Sequence, residues 1–230
     1  MSDTNNLTRL KRGLLYIHPS AFLLAAQLLL LFTYAVFDGL HSERALISAF
    51  SVVILVLVVW VVSHSPALDW IAWTLAVPAF LLTLASAFAA DSNLVMWSSL
   101  LEAALYFYAA GSLIAYMMED YEVTTDELFA VGATFTLLAW GYAYLYLVCE
   151  TLIPGSFVSG VILDRPPTFV EFLFLSFTNL SSTGLGDITP VSAWARVLVM
   201  IEQLSGVGYV AIVVSRLIGL TLARAKRKQS

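Results

Sequence analysis

The sequence predicts an all-α membrane protein with six membrane-spanning helices and one short re-entrant helix near its C-terminal end. Three observations lead there. The 230 residues are 60 % hydrophobic and only 12 % charged, with a mean hydropathy of +0.87, more apolar surface than one soluble core can bury. The apolar residues fall in runs able to cross a hydrocarbon layer about 30 Å thick, which takes about 20 helical residues. Basic residues gather at the two ends, Arg9, Lys11 and Arg12 before the first run and Arg224, Lys226, Arg227 and Lys228 after the last.

Residues 20–37, 45–62, 68–89, 95–117 and 126–153 are long enough to span, and a sixth run covers 192–222. Lys and Arg near span ends favour the cytoplasmic side, so both termini are expected inside. That requires an even number of crossings, which six satisfies. The stretch TFVEFLFLSFTNL (168–180) lies between the last two runs. It is too short to span but long enough for a re-entrant helix, and a seventh span here would put the basic tail outside. Thr168 and Glu171 have capping-box spacing directly after Pro167, a physical reason for a helix to start there. The polar, then basic N-terminus has no small-residue cleavage site, so no removable signal peptide is expected. A single cysteine, Cys149, excludes an intrachain disulfide.

The chain next reads SSTGLGDITP, residues 181–190. Irregular backbone at membrane depth survives only when buried in protein or lining a watery path. The glycines therefore mark either a buried irregularity in a bundle or part of a pore. A cation leaving water needs oxygens to replace its hydration shell, and rings of backbone carbonyls supply them. Residues that reach left-handed dihedrals let successive carbonyls point toward one axis, and glycine does so at least cost. Ser182, Thr183, Gly184, Leu185 and Gly186 offer this, with a hydroxyl at the inner end and Asp187 as a negative collar outside. One chain supplies one loop, so a closed ring needs several subunits around an axis.

The run EFLFLSFTNLSSTGLGDITPVSAWARVLVMIEQLSGVGYVAIVVSRLIGL (171–220) resembles the pore helix, selectivity filter and inner helix of tetrameric potassium channels. More narrowly, the whole chain resembles the small bacterial channels with six spans and one pore segment per chain. A Gly-x-Gly-Asp alone is weak, but the upstream short helix, Pro190 and the terminal span make the match specific. The resemblance implies a homotetramer in the plasma (inner) membrane, multi-pass, with both termini cytoplasmic. Each chain would divide into a four-helix membrane domain (1–117), an acidic cytoplasmic linker (118–125), a pore domain (126–222) and a basic cytoplasmic tail (223–230). K+ or another monovalent cation would pass the filter carbonyls passively. No cofactor and no nucleic acid partner are expected, and membrane lipids are the surroundings. The alternatives are a nonselective monovalent cation channel, or a non-conducting scaffold or partner subunit that keeps the fold.

The family filter usually reads Thr-Val-Gly-Tyr-Gly-Asp. Here Ser182 stands at the threonine, Thr183 at the valine and Leu185 at the tyrosine, a leucine also found in some second pore segments of two-pore-domain potassium channels. Leu185 removes the phenol that normally tethers the filter. Leu175 stands where a tryptophan is common, while Phe174 remains. A less rigid filter with weaker discrimination of potassium from sodium is expected.

Gly206 falls at the family's hinge position and Gly208 two residues on. Two glycines in a helix interior indicate either bending or tight packing through small residues. Val207, Val210, Val214, Ile218 and Leu222 share one helical face. By resemblance that face lines the cavity, and its lower members can gate by dewetting; a core stripe has the same pattern. Arg216 lies off that face, where it can snorkel. Glu202 lies about 140° from Val207 and is expected to support the filter from behind, toward Thr178 or Asn179. Glu102, without a basic partner in its span, is expected to be protonated or hydrogen-bonded between helices.

Residues 95–117 contain no Lys or Arg, and Arg44 is the only one in 13–164, which excludes voltage sensing by a charged fourth span. The first four spans are read as a scaffold. The linker MMEDYEVTTDEL carries Glu119, Asp120, Glu122, Asp126 and Glu127. These are helix-dipole partners, or they pair with the basic tail or a cytoplasmic cation; Thr124 and Glu127 also have capping-box spacing. With few residues after the last span, no cyclic-nucleotide or nucleotide-binding regulatory domain is expected. His18, His41 and His64 are isolated near span ends. With no histidine cluster, serine–base pair or paired acids on one helix face, an enzyme is not expected.

Overall fold

The computed structural model describes residues 19–37, 43–63, 68–88, 92–119, 125–160 and 165–227. Their elements are α1 (Pro19–Phe37), α2 (Glu43–Val62), α3 (Asp69–Phe88), α4 (Ser92–Met118), α5 (Thr125–Leu152), β1 (Phe157–Ser159), α6 (Phe169–Leu180), β2 (Ile188–Pro190) and α7 (Ala193–Arg227). The histidines, Arg9, Lys11, Arg12, Lys228 and the linker residues 120–124 lie outside the described residues. Among the described residues, Ser92–Met118, Asp126–Leu152 and Ala193–Arg216 are long and apolar enough to cross a membrane. Pro19–Tyr34, Val53–Val62 and Trp70–Ser86 are shorter apolar helical stretches.

Helix α5 is the hub, packing against α1, α4, α6 and α7 of its own chain. Ala130, Ala133, Leu137, Ala139, Trp140, Ala143 and Tyr146 are all fully buried, the pattern of a helix covered over most of its circumference. Its alanines let neighbouring backbones approach, and hydroxyls add interhelical bonds, the usual means of holding helices together in lipid. Thr136 donates to Gln27 Oε1 on α1 at 2.6 Å, and Ser20 on α1 donates to Asp126 at 3.1 Å. Glu102 on α4 accepts from Thr83 on α3 at 2.5 Å, an interhelical bond of the kind its sequence position suggests. An aromatic cluster of Tyr106 (α4), Tyr144 (α5) and Phe169 joins these helices to the start of α6, with ring centroids 5.7 and 4.6 Å apart along that chain.

Helix α6 has 12 residues, about 18 Å at 1.5 Å per residue, short of a crossing. Its start is the capping box that the spacing predicts: the Thr168 side chain accepts from Glu171 N, and Glu171 Oε2 accepts from Thr168 N at 2.6 Å. Arg165 adds a fork onto both Glu171 oxygens, at 2.7 and 3.1 Å.

The all-helical expectation omits one feature. β1, just after α5, pairs antiparallel with β2, just after the 181–187 loop, with Phe157↔Pro190, Val158↔Thr189 and Ser159↔Ile188 in register. Helix α7 also runs on to Arg227, through residues the sequence division gave to the tail.

The fork from Arg165, followed by the bonds to Thr168, holds the Glu171 carboxyl below its ordinary value of 4.5. A depressed carboxyl adds stability that is complete above the ordinary value and disappears as pH falls through the depressed one. Glu171→Gln keeps the cap and loses the ion pair, so its thermal unfolding in detergent should fall below wild type at neutral pH and converge with it in acid. Glu171→Ala also loses the carboxylate half of the capping box, while Thr168 keeps its bond to the residue 171 amide, and should cost about 1 kcal/mol.

Candidate functional site

Helix α6 ends at Leu180, with Ser181 as its C-cap. Ser182 then takes φ +58° and Gly184 φ +67°. Left-handed dihedrals at alternate residues turn the chain so that successive carbonyls need not alternate sides, as a carbonyl-lined path requires. A non-glycine residue in this region is uncommon, so Ser182 is held there by its surroundings. Gly184 owes its glycine to that dihedral alone, since an added Cβ would meet nothing within 4 Å. Gly186 has neither a left-handed φ nor a crowded Cβ site; its nearest side-chain neighbour is Leu175 Cδ1, 3.7 Å from where a Cβ would lie.

The start of the loop hangs on two adjacent carbonyls. Thr183 N and Gly184 N both donate to the Thr178 carbonyl, at 2.8 and 3.1 Å, and Ser182 N donates to the Asn179 carbonyl at 3.0 Å. Ser181 Oγ and Thr183 Oγ1 are 2.7 Å apart. Thr178 thus serves through its backbone, while its hydroxyl donates to Leu175 O. Residues 181–187 are exposed in the single chain, Leu185 at 64 %, while Ile188 is buried. At the far end of the loop the Asp187 carbonyl accepts from Gly160 N at 2.6 Å.

Glu202 lies behind this loop and is fully buried. Its carboxyl accepts from Ser176 on α6 and from Tyr146 on α5. The sequence points to Thr178 or Asn179 as its partners. Asn179 lies beside the network and accepts from Gln203 at 3.4 Å, whereas Ser176, nearer the start of α6, takes the direct bond. Ser176 and Tyr146 escape a sequence reading, because a serine and a tyrosine in apolar runs signal nothing until a buried acid needs donors.

The buried stripe of α7 is Ala195, Val199, Glu202, Gly206 and Tyr209. An added Cβ on Gly206 would meet the Leu180 backbone, with its C at 2.8 Å and Cα at 2.9 Å. Close packing is therefore a sufficient reason for that glycine. Gly208 faces open space in the chain. Tyr209 donates to the Val131 carbonyl at 2.6 Å, and Tyr142 and Ser205 share a 2.6 Å bond, so α7 is tied to α5 at two levels. Val207, Val210, Val214 and Ile218 are all exposed in the single chain, away from the buried stripe; the Leu222 side chain lies outside the described residues.

Arg216 does not snorkel. It turns inward to Glu127 at 3.2 Å, with both side chains largely buried, beside an apolar groove lined by Ile114, Met117, Val131, Ile212 and Val213. The linker acid Glu127 thus pairs with helix α7, while the side chains of the tail, residues 223–230, lie outside the described residues.

Two stability tests follow from this packing. Gly206→Ala drives a methyl into the Leu180 backbone and should destabilise the protein by about 1–3 kcal/mol, while Gly208→Ala is neutral or stabilising, as thermal unfolding would report. Glu202→Ala leaves the Ser176 and Tyr146 hydroxyls buried without an acceptor and should cost about 1–3 kcal/mol for each, with Glu202→Gln intermediate.

A protein-family model described as "Ion channel" matches residues 103–222, from the middle of α4 through the loop to the lower part of α7. No curated protein and no solved structure matches the chain. The matched segment is more than half of the 230 residues and contains α5, the short helix α6, the loop after it and most of α7. On that match the chain belongs to the ion channel family, with the two-span pore module of the potassium channel superfamily.

Proposed function

We propose that four copies of the chain surround a common axis and conduct monovalent cations, potassium above all, through the loop Ser182–Gly186. The observation that carries this reading is the pair of left-handed dihedrals at Ser182 and Gly184, on an exposed loop whose amide donors are drawn back to the Thr178 carbonyl. With these N–H groups engaged behind it, the loop has carbonyl oxygens left to offer a dehydrated cation, one from each chain at every level. The Ser182 hydroxyl supplies the innermost ring, and Asp187 collects cations at the outer mouth.

In this arrangement the six apolar helices cross the plasma membrane with both termini in the cytoplasm. The exposed face of α7 carrying Val207, Val210, Val214, Ile218 and Leu222 lines the inner cavity, and its apolar lower part closes by dewetting. Gly206 fixes where α7 rests on α6. Helices α1 to α4 brace α5, without the basic residues that a voltage sensor needs. The filter support consists of Thr178 and Asn179 at the inner end, Glu202 behind, and Asp187 outside. The missing phenol at Leu185 favours modest rather than strict preference for potassium over sodium.

Purified protein in liposomes should pass potassium down its gradient, with block by barium, and Gly184→Ala should abolish the flux by straining the left-handed position. Bi-ionic reversal potentials separate a potassium channel from a nonselective one. An intact tetramer that passes no cation would instead identify a non-conducting scaffold or partner subunit.

A further inference from the structure

Glu150 stands in the last turn of α5, where the helix dipole is negative and a carboxylate is unfavourable. It is nonetheless buried. Its two oxygens go to separate backbone donors, Oε1 to Gly155 N at 2.7 Å and Oε2 to Phe157 N at 3.0 Å. Gly155, at φ +81°, makes the turn that brings both amides back onto the carboxylate. The chain that leaves this turn is β1. Phe157 at its head is buried and wedged between Tyr146 and Phe172, with ring centroids 5.0 and 5.1 Å away.

From that anchor, the segment from Ser156 to Gly160 clasps the chain that leaves the loop. Val191 N donates to Ser156 O at 2.9 Å, the three ladder pairs follow, and Gly160 N donates to Asp187 O at 2.6 Å. The clasp therefore reaches the residue next to Gly186. The loop is held at its inner end by the Thr178 carbonyl and at its outer end by this strand. Leu185 in between is exposed and has no hydroxyl to tether.

We propose that Glu150 is a positioning residue for ion selectivity: by pinning the head of β1 it sets where the outer carbonyls of the loop stand, and so gives the loop the modest preference it keeps without a tether at Leu185. This rests on the reading of Ser182–Gly186 as the ion path. Discrimination between potassium and sodium depends on the spacing and field of the coordinating carbonyls, so a released outer end admits the smaller cation. Conduction itself does not require the clasp.

The test uses the full chain in liposomes, in a Cys149→Ser background so that engineered thiols are the only ones. Glu150→Ala removes both acceptors; Glu150→Gln keeps the volume, turns one acceptor into a donor, and serves if the alanine variant does not assemble. The potassium-to-sodium permeability ratio from bi-ionic reversal potentials should fall by about fivefold, the factor that one net hydrogen bond corresponds to, while potassium flux persists. Val158→Cys with Thr189→Cys joins facing ladder residues. In such pairs the Cα atoms lie about 5.5 Å apart, within disulfide range. Oxidation of that pair in the Glu150 variant should restore the ratio, and reduction should abolish the rescue. Flux with an unchanged ratio in the variant overturns this inference alone, as does a lowered ratio that the disulfide fails to restore. No flux from intact wild-type tetramer overturns the ion-path reading, and this inference with it.

Discussion

The buried carboxyl of Glu202 is the interaction on which the rest of the pore module depends. It joins three helices at one point: α7 carries it, α6 reaches it through Ser176, and α5 through Tyr146. A carboxyl in an apolar interior is costly unless its lone pairs are occupied, so these donors are a condition for burying it. Once they are in place, α6 cannot rotate about its axis without breaking the bond. The Thr178 carbonyl, two residues after Ser176, then points where the loop amides need it. The orientation of a short apolar helix, which packing alone would leave loosely specified, is thereby set by one polar contact.

The two sides of this module are built differently. Toward α5 the surface is closed by small residues, aromatic rings and hydroxyl bonds within the chain. On the other side α7 presents Leu204, Val207, Val210, Val214 and Ile218 to the exterior, and the loop presents backbone. A chain with one finished face and one unfinished face suits the proposed assembly around an axis, in which each unfinished face would meet its symmetry mates. On the finished side Thr83 meets one oxygen of Glu102, and Thr136 meets the amide oxygen of Gln27 on α1.

Much of this was legible in the sequence, for identifiable reasons. Helix positions follow from apolar length, the start of α6 from Thr168 and Glu171, and the loop from two glycines flanked by hydroxyls. Each depends on neighbours within a few residues. What was not legible depends on partners far apart in sequence. The β1–β2 pair joins short segments on either side of α6, with no alternation long enough to register as strands. Tyr146 and Ser176 read as ordinary members of apolar runs. Arg216 reads as a snorkelling residue because Glu127 lies 89 positions away. Glu150 carries a signal that helix-dipole reasoning can use, an acid at the wrong end of a helix, shortly before the glycine that resolves it.

The contact between Gly206 and the backbone of Leu180 has a mechanical consequence. It makes a pivot of a point less than halfway along α7, so that the longer part of the helix, from Gly206 to Arg227, becomes a lever arm. Sideways travel on such an arm grows in proportion to distance from the pivot. A slight tilt therefore swings the far end widely, while the loop resting against the pivot barely shifts. Arg216 grips Glu127 near the middle of that arm, where a weak force has long leverage.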